Sequence, residues 1–245
     1  DVRGLVSAAD VFTTLAFVTL DASGERTFSF ARKPGADTCL TADELDEEIL
    51  RNTRVLHVGS LSLTDEPARS ATFAAVELAR QAGAVISYDP NYRAPLWSGP
   101  ERAAEQMRAM IPHTDVMKLS DEETELLTGV SDPETAARRL LALGVPCVAV
   151  TLGAEGAIVA ARGEVRHIPP FPAQAADTTG AGDAFGGGFL HRMLALGKAP
   201  ADMTVDDAAD CARWGSATAA LCITKRGAIP AMPEMSAVEA LLRSR

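Results

Sequence analysis

The residues best suited to chemistry lie in one stretch, Asp177-Thr-Thr-Gly-Ala-Gly-Asp-Ala-Phe-Gly-Gly-Gly-Phe189. Gly180, Ala181 and Gly182 are three small residues that open a helical pattern. The first amides of a helix have no intrahelical acceptor and sit at the positive end of its dipole. Such a turn can hold a phosphoryl group as its charge spreads over the equatorial oxygens. Asp183, in the first turn, can accept a proton from a substrate hydroxyl. The same residues also suit a glycine-rich helix start that packs tightly, with Asp183 complementing the dipole. Two familiar phosphate loops do not fit. There is no GxxxxGK[ST], and GAGDAF lacks GxGxxG spacing and comes late in the chain.

A second group, Asp89, Asn91 and Arg93, follows an apolar run that ends in Asp89-Pro90-Asn91. In open α/β sheets ligands sit beyond the carboxyl ends of strands, which makes these three substrate-contact candidates. Asp-Pro-Asn is equally a turn signal, and Arg93 and Trp97 are equally suited to packing.

The elements that must position these residues follow from pattern. Residues 14–20 (TLAFVTL) and 26–30 (RTFSF) flank a short polar link containing Gly24 and read as a hairpin. Residues 40–51 read as a helix, with Thr41 as N-cap and Glu44 at capping-box spacing. Strands are expected at 55–58, 84–88, 116–119, 147–152 and 156–161. Helices are expected at 66–82, 101–110, 121–127 and 132–143, with Gly83 and Gly129 as stops. A Gly-rich turn and helix over 179–196, a helix over 205–221 and a last helix from Met235 complete the chain. Alternating strands and helices imply a mostly parallel sheet covered on both faces.

Composition bounds the partners. Of the 245 residues 47% are hydrophobic, enough for one sizeable core, and a single domain over 1–245 is expected. A formal charge of −10 repels phosphate backbones, so nucleic acid is not expected as a partner. It is compatible with a nucleotide, which a local nest of amides can bind. Cys39, Cys147, Cys211 and Cys222 form no CxxC pair and show no metal spacing with the four histidines. Four reduced thiols in a cytoplasmic protein are expected. No apolar run reaches the length of a membrane span, so no membrane partner is expected.

Taken together, the motifs resemble the PfkB/ribokinase family of carbohydrate kinases. DTTGAGDAFGGGFL (177–190) is similar to that family's C-terminal signature. DPNYRAPLW (89–97), KLSDEE (118–123), VTLGAEG (150–156) and TKRGAIP (224–230) follow in the family's order. DPNYRAPLW, HVGSLSL (57–63) and GERTFSFARKPGAD (24–37) are most similar to fructokinases.

The resemblance implies a ribokinase-like three-layer α/β/α sandwich, with a small β lid at about 12–38 and the core at 39–245. It implies transfer of the γ-phosphoryl of ATP to a hydroxyl of a small sugar, fructose first. A 2-keto-3-deoxygluconate kinase or another sugar kinase of the family is the near alternative, and a non-catalytic nucleotide-binding protein the distant one. Asp183 would be the base, and Gly180, Ala181 and Gly182 the anion hole. Thr151, Gly153 and Gly156 would line the ATP site, and Lys118 would reach a phosphate. Glu123 would organise Mg²⁺ through water, its alternative being a solvated helix carboxylate. Ser120 stands where the family's NxxE motif has Asn, which leaves its own role open. Arg32 and Phe30 would face the sugar from the lid or be ordinary strand-edge residues. Asp177 and Thr179 would supply part of a K⁺ site, with carbonyls near Cys222, Lys225, Gly227 and Ala231. A homodimer through the lid strands is a further expectation. The family domain begins with an acidic strand and a Gly-Gly-x-x-Asn stretch ahead of the hairpin. Neither is found here, so the N-terminal part of that domain is expected to be absent from these residues.

Overall fold

Two strand-forming runs pair as their composition requires. β1 (Leu15–Leu20) runs antiparallel to β2 (Arg26–Ala31), with Leu15 opposite Ala31 and Phe17 opposite Ser29. The structure, a computed structural model, describes residues 1–20 and 26–244. The expected Gly24 link lies outside the described residues. The chain divides into two compact units, Asp1–Thr114 and Asp115–Arg245.

In the first unit, β3 (Val55–Gly59) and β4 (Val85–Asp89) are parallel, with Gly59 level with Asp89. Helix α2 (Ala68–Gln81) connects them and buries Ala71, Ala75, Val76 and Ala79, a helical stripe of small apolar residues. Gly83, at φ 86°, supplies the left-handed residue that ends it. Tyr88 of β4 is buried and donates its hydroxyl to the Met107 carbonyl (3.3 Å) on α3 (Pro100–Met110). Residues 40–51 correct the expected single helix. The Thr41–Glu44 capping interaction exists, but it closes only a 3₁₀ turn, Ala42–Glu44. Leu45 is then extended, and Asp46 caps a separate α1 (Glu47–Asn52) by accepting the Ile49 amide at 3.0 Å. Two capping residues five apart compete, and each starts its own element.

In the second unit, β5 (Val116–Ser120) is parallel to β6 (Cys147–Thr151), and α4 (Asp121–Thr128) and α5 (Pro133–Ala142) lie between them in sequence. β7 (Ala157–Ala161) is antiparallel to β6, and β8 (Glu164–Ile168) is antiparallel to β7. β8 was not expected from sequence. Its residues Glu164, Arg166 and His167 are exposed, so it lacks an apolar face. Helix α6 (Ala181–Leu196) packs along α7 (Val205–Cys222), and α8 (Met235–Arg243) follows.

The α6–α7 contact explains one glycine of the run in α6, Gly188. A Cβ added at Gly188 would lie 2.8 Å from the Trp214 carbonyl and 2.5 Å from Thr218 Oγ1. One added at Gly215 would lie 2.7 Å from the Phe185 carbonyl. Gly186 and Gly187 face open space. The helices touch backbone to backbone at Gly188 and Gly215, and this fixes the pose of α6, which carries Asp183. Gly188→Ala is therefore expected to destabilise the protein by about 1–3 kcal/mol through overpacking. Gly186→Ala should leave stability unchanged or raise it by up to about 1 kcal/mol, because helix propensity alone is at stake. Denaturant melts of the two variants check the contrast.

Candidate active site

Thr178-Thr179-Gly180 leads directly into α6. Gly180 is the N-cap at φ 80°, a left-handed turn that glycine adopts at no steric cost. The turn is also tight, since a Cβ on Gly180 would come 2.8 Å from the Cβ of Ala228. The Ala184 amide donates to the Gly180 carbonyl at 2.8 Å, the first helical bond. The Ala181 amide donates to the Thr178 carbonyl at 3.2 Å. Among the described residues nothing accepts from the amides of Gly180, Gly182 or Asp183. The free donors of this helix start are thus Gly180, Gly182 and Asp183, while Ala181 contributes its small size and an occupied N–H.

Asp183 occupies the third helical position and is exposed. Among the described residues its carboxylate makes no hydrogen bond or ion pair. Beside it, a Cβ on Gly182 would lie 2.8 Å from Lys118 Nζ, so the Lys118 ammonium abuts the Gly182 backbone. An ammonium, three open amides and an accessible carboxylate therefore share one helix N-terminus. Behind them Cys222 is buried, and its thiol is pushed up by burial and, beyond that, by the negative charges of Asp177 and Asp183.

Asp177 fixes the entry to the turn. Its Oδ1 accepts the Thr179 amide and its Oδ2 the Gly227 amide, both at 2.9 Å. The carboxylate straps the segment before α6 to the Lys225-Arg226-Gly227 loop. The Ala176 amide reinforces the strap through the Ile223 carbonyl at 2.8 Å.

The remaining candidates of this unit gather at the carboxyl ends of β5 and β6. Ser120 and Thr151 are paired across the two strands. Thr151 Oγ1 donates to the Leu119 carbonyl at 3.3 Å. Gly153 faces open space at φ 56°, whereas Gly156 (φ 95°) has the Ile168 carbonyl where a Cβ would be, with Pro170 N at 3.0 Å. Gly153 leaves room for a ligand; Gly156 leaves room for the chain itself. Glu123 is buried at 7% exposure, unlike a solvated helix carboxylate. Its Oε2 accepts the Ser120 amide at 2.8 Å and the Ser120 hydroxyl at 3.0 Å, so Ser120 is the N-cap partner of α4.

In the first unit, Asp89 Oδ1 accepts the Asn91 amide at 3.1 Å, and Asn91 takes φ 48°, an Asx turn at the end of β4. Arg93 Nη1 donates to the Tyr92 carbonyl at 2.9 Å. Arg32 is buried at 5% exposure. Its Nε donates to Asp37 Oδ2 at 2.8 Å, Nη1 to Thr64 Oγ1 at 2.7 Å and Nη2 to the Leu61 carbonyl at 2.6 Å. Asp37 also accepts the Thr14 hydroxyl. Burial opposes the charge on Asp37, but the bonds from Thr14 and Arg32 outweigh it and hold the carboxyl below its ordinary 3.8. The stabilisation from this pair is complete above that ordinary value and fades as pH falls through the lowered one. Asp37 and Thr64 were not singled out from sequence. The available signal was that an Arg at the foot of a hairpin needs a carboxylate if it is buried.

Residues 1–235 match the pfkB family carbohydrate kinase. The chain is 41% identical over 244 residues to "Fructokinase-1" of Zea mays, covering 99% of this chain and 75% of that protein. The chain belongs to the pfkB family of carbohydrate kinases. Its fold is α/β and ribokinase-like, as expected. A fructokinase from Xylella fastidiosa with bound ATP superposes with a TM-score of 0.88 at 31% identity, covering 97% of this chain and 75% of that one. A fructokinase from Vibrio cholerae O395, bound to fructose, ADP and calcium, gives 0.80 at 33% identity, covering 93% and 73%. As a carbohydrate kinase the protein is a phosphotransferase with an alcohol acceptor. Among the described residues no helix is long and apolar enough to cross a membrane.

Gly182 gives the site its sharpest test. Gly182→Ala is expected to push the Lys118 ammonium off the helix start and lower kcat by roughly 10²-fold, the scale of one lost charge-stabilising contact. Thermal stability should stay near wild type, because a flexible lysine tip is what must move. Steady-state kinetics beside a melting curve check both arms.

Proposed function

We propose that this protein is an ATP-dependent fructokinase in which Asp183 is the base. The observation that carries the reading is the accessible, unpartnered Asp183 carboxylate beside three open amides and the Lys118 ammonium. Asp183 takes the proton of the acceptor hydroxyl as that oxygen attacks the γ-phosphorus of ATP, and ADP leaves. The amides of Gly180, Gly182 and Asp183 receive the charge of the transferred group, and Lys118 adds a point charge. Thr151 and Gly153 are the nucleotide-contact candidates, supported by the open space at Gly153, with Gly156 holding the turn beside them. Mg²⁺ neutralises phosphate charge when bound. The Glu123 carboxylate suits contact through water, because Oε2 is already committed to Ser120. Asp177 and Thr179 would border a K⁺ ion completed by nearby peptide carbonyls.

Asp89, Asn91 and Arg93 are the acceptor-contact candidates at the end of β4. The state of Arg32 supports fructose over a keto-deoxy acid and leaves Arg93 as the one of the two arginines that an acid would use. A substrate carboxylate needs an available cation, ideally a bidentate guanidinium. That of Arg32 is engaged by Asp37, Thr64 and Leu61. Pairing of two copies through the hairpin is supported by the half-exposed Leu15, Phe17 and Val18 of β1. The expected place of action is the cytoplasm.

Asp183→Asn should lower kcat by about 10²–10⁴-fold with ATP affinity nearly unchanged. A coupled assay of ADP release over fructose, glucose, ribose and 2-keto-3-deoxygluconate, with ATP titrated by calorimetry, checks this. Near-normal turnover of the variant would remove Asp183 from the mechanism, and wild-type preference for the acid would overturn the fructose assignment.

A further inference from the structure

Both legs of the hairpin end on one carboxylate. Thr14 immediately precedes β1, and Arg32 immediately follows β2. The Thr14 hydroxyl bonds to one oxygen of Asp37, and the Arg32 guanidinium to the other through Nε at 2.8 Å and Nη2 at 2.6 Å. The same guanidinium reaches the Thr64 hydroxyl and the Leu61 carbonyl. Those two residues lie in the segment Ser60–Thr64, which starts where β3 ends, the Ser60 amide bonding to the Pro90 carbonyl at 3.1 Å. The clasp is closed tightly. A Cβ on Gly35 would overlap Thr14 Oγ1 and lie 2.7 Å from the Arg32 carbonyl and 2.8 Å from Asp37 Oδ1. The Ala36 amide bonds across it to the Phe12 carbonyl at 3.0 Å. The Arg32 residue is 5% exposed, so its guanidinium depends on these partners, while the Asp37 side chain is open to solvent at 46%.

We infer that Arg32 and Asp37 are positioning residues for the sugar. Their ion pair sets the hairpin against the carboxyl end of β3 and so tunes sugar affinity, while neither side chain touches the sugar. The inference rests on the reading of the hairpin as the lid of a fructokinase. It differs from a substrate role for Arg32, and it differs from a purely structural role, which would lower stability and leave sugar KM alone.

The test is steady-state kinetics with fructose and with ATP on wild type, Asp37→Ala, Arg32→Lys and Thr14→Val, joined to amide hydrogen exchange. Asp37→Ala is expected to raise the fructose KM about 10-fold or more, as a displaced lid would, with the ATP KM within about 2-fold. Exchange in β1 and β2 should quicken about 10-fold while α6 is unchanged. Arg32→Lys should behave like Asp37→Ala, because an ammonium cannot make the fork. Thr14→Val keeps the ion pair and should shift fructose KM only about 3-fold, and it serves if Asp37→Ala does not fold. An unchanged fructose KM in a folded Asp37→Ala, or a rise in ATP KM to match, would overturn the inference. So would an Arg32→Lys enzyme that works normally. If wild type does not phosphorylate fructose, the parent reading fails; the clasp itself is then judged by exchange, and unchanged rates in β1 and β2 would sink it.

Discussion

A helix start with three unaccepted amides is the constraint around which the second unit is organised. Gly180, Gly182 and Asp183 present N–H groups that nothing among the described residues satisfies, at the positive end of a 16-residue helix. Such donors are tolerable only where water or an anion reaches them. Everything near them keeps that place open and fixed. Gly188 and Gly215 bring α6 and α7 into backbone contact, Asp177 straps the turn to the loop at Gly227, and Ala228 closes against Gly180. The contacts at Gly180, Gly188 and Gly215 tolerate almost no added atom. Rigidity of the surroundings is what allows an unsatisfied helix end to persist as a site.

The placement of charge follows the same logic. The Lys118 ammonium beside Gly182 adds positive potential where the amides already supply it, and Asp183 puts an exposed carboxylate at its edge. Phosphoryl transfer asks for little covalent work from the protein and mainly for such preset electrostatics. The acidic composition of the chain does not conflict with this, because the positive potential here comes mostly from oriented amides and one lysine.

Much of this was legible in the sequence because it is local. Small residues ahead of an Asp, strands followed by helices, and glycine stops all act within a few positions, and α6, β3 to β7 and α7 appear where periodicity places them. What was not legible depends on distance in the fold. Arg32 is legible as a residue of the hairpin's end, but its pairing to Asp37 and Thr64 is not. Gly153 and Gly156 look alike until one faces open space and the other the Ile168 carbonyl. Residues 40–51 read as one helix because Thr41 and Asp46 are both good caps, and pattern alone does not say that both are used. β8 was hidden by polar side chains on an exposed strand.

The Ser-Asp-Glu-Glu stretch at 120–123 shows how a departure from a family pattern can preserve its physics. The family places Asn where this chain has Ser120. Asn and Ser are both strong N-caps, since each offers a short side-chain oxygen to the first turn of a helix. Ser120 is the N-cap residue of α4 and donates its hydroxyl and amide to Glu123 Oε2. Glu123 is thereby held in one orientation despite a burial of 93%, the complement of its 7% exposure. A buried carboxylate left without donors would be costly and free to turn away. Held by the box, its carboxylate is fixed near the carboxyl end of β5, three residues beyond the strand that carries Lys118. Lys118, near the end of β5, and Glu123, in the first turn of α4, thus come close to the same strand end, one on each side of Ser120.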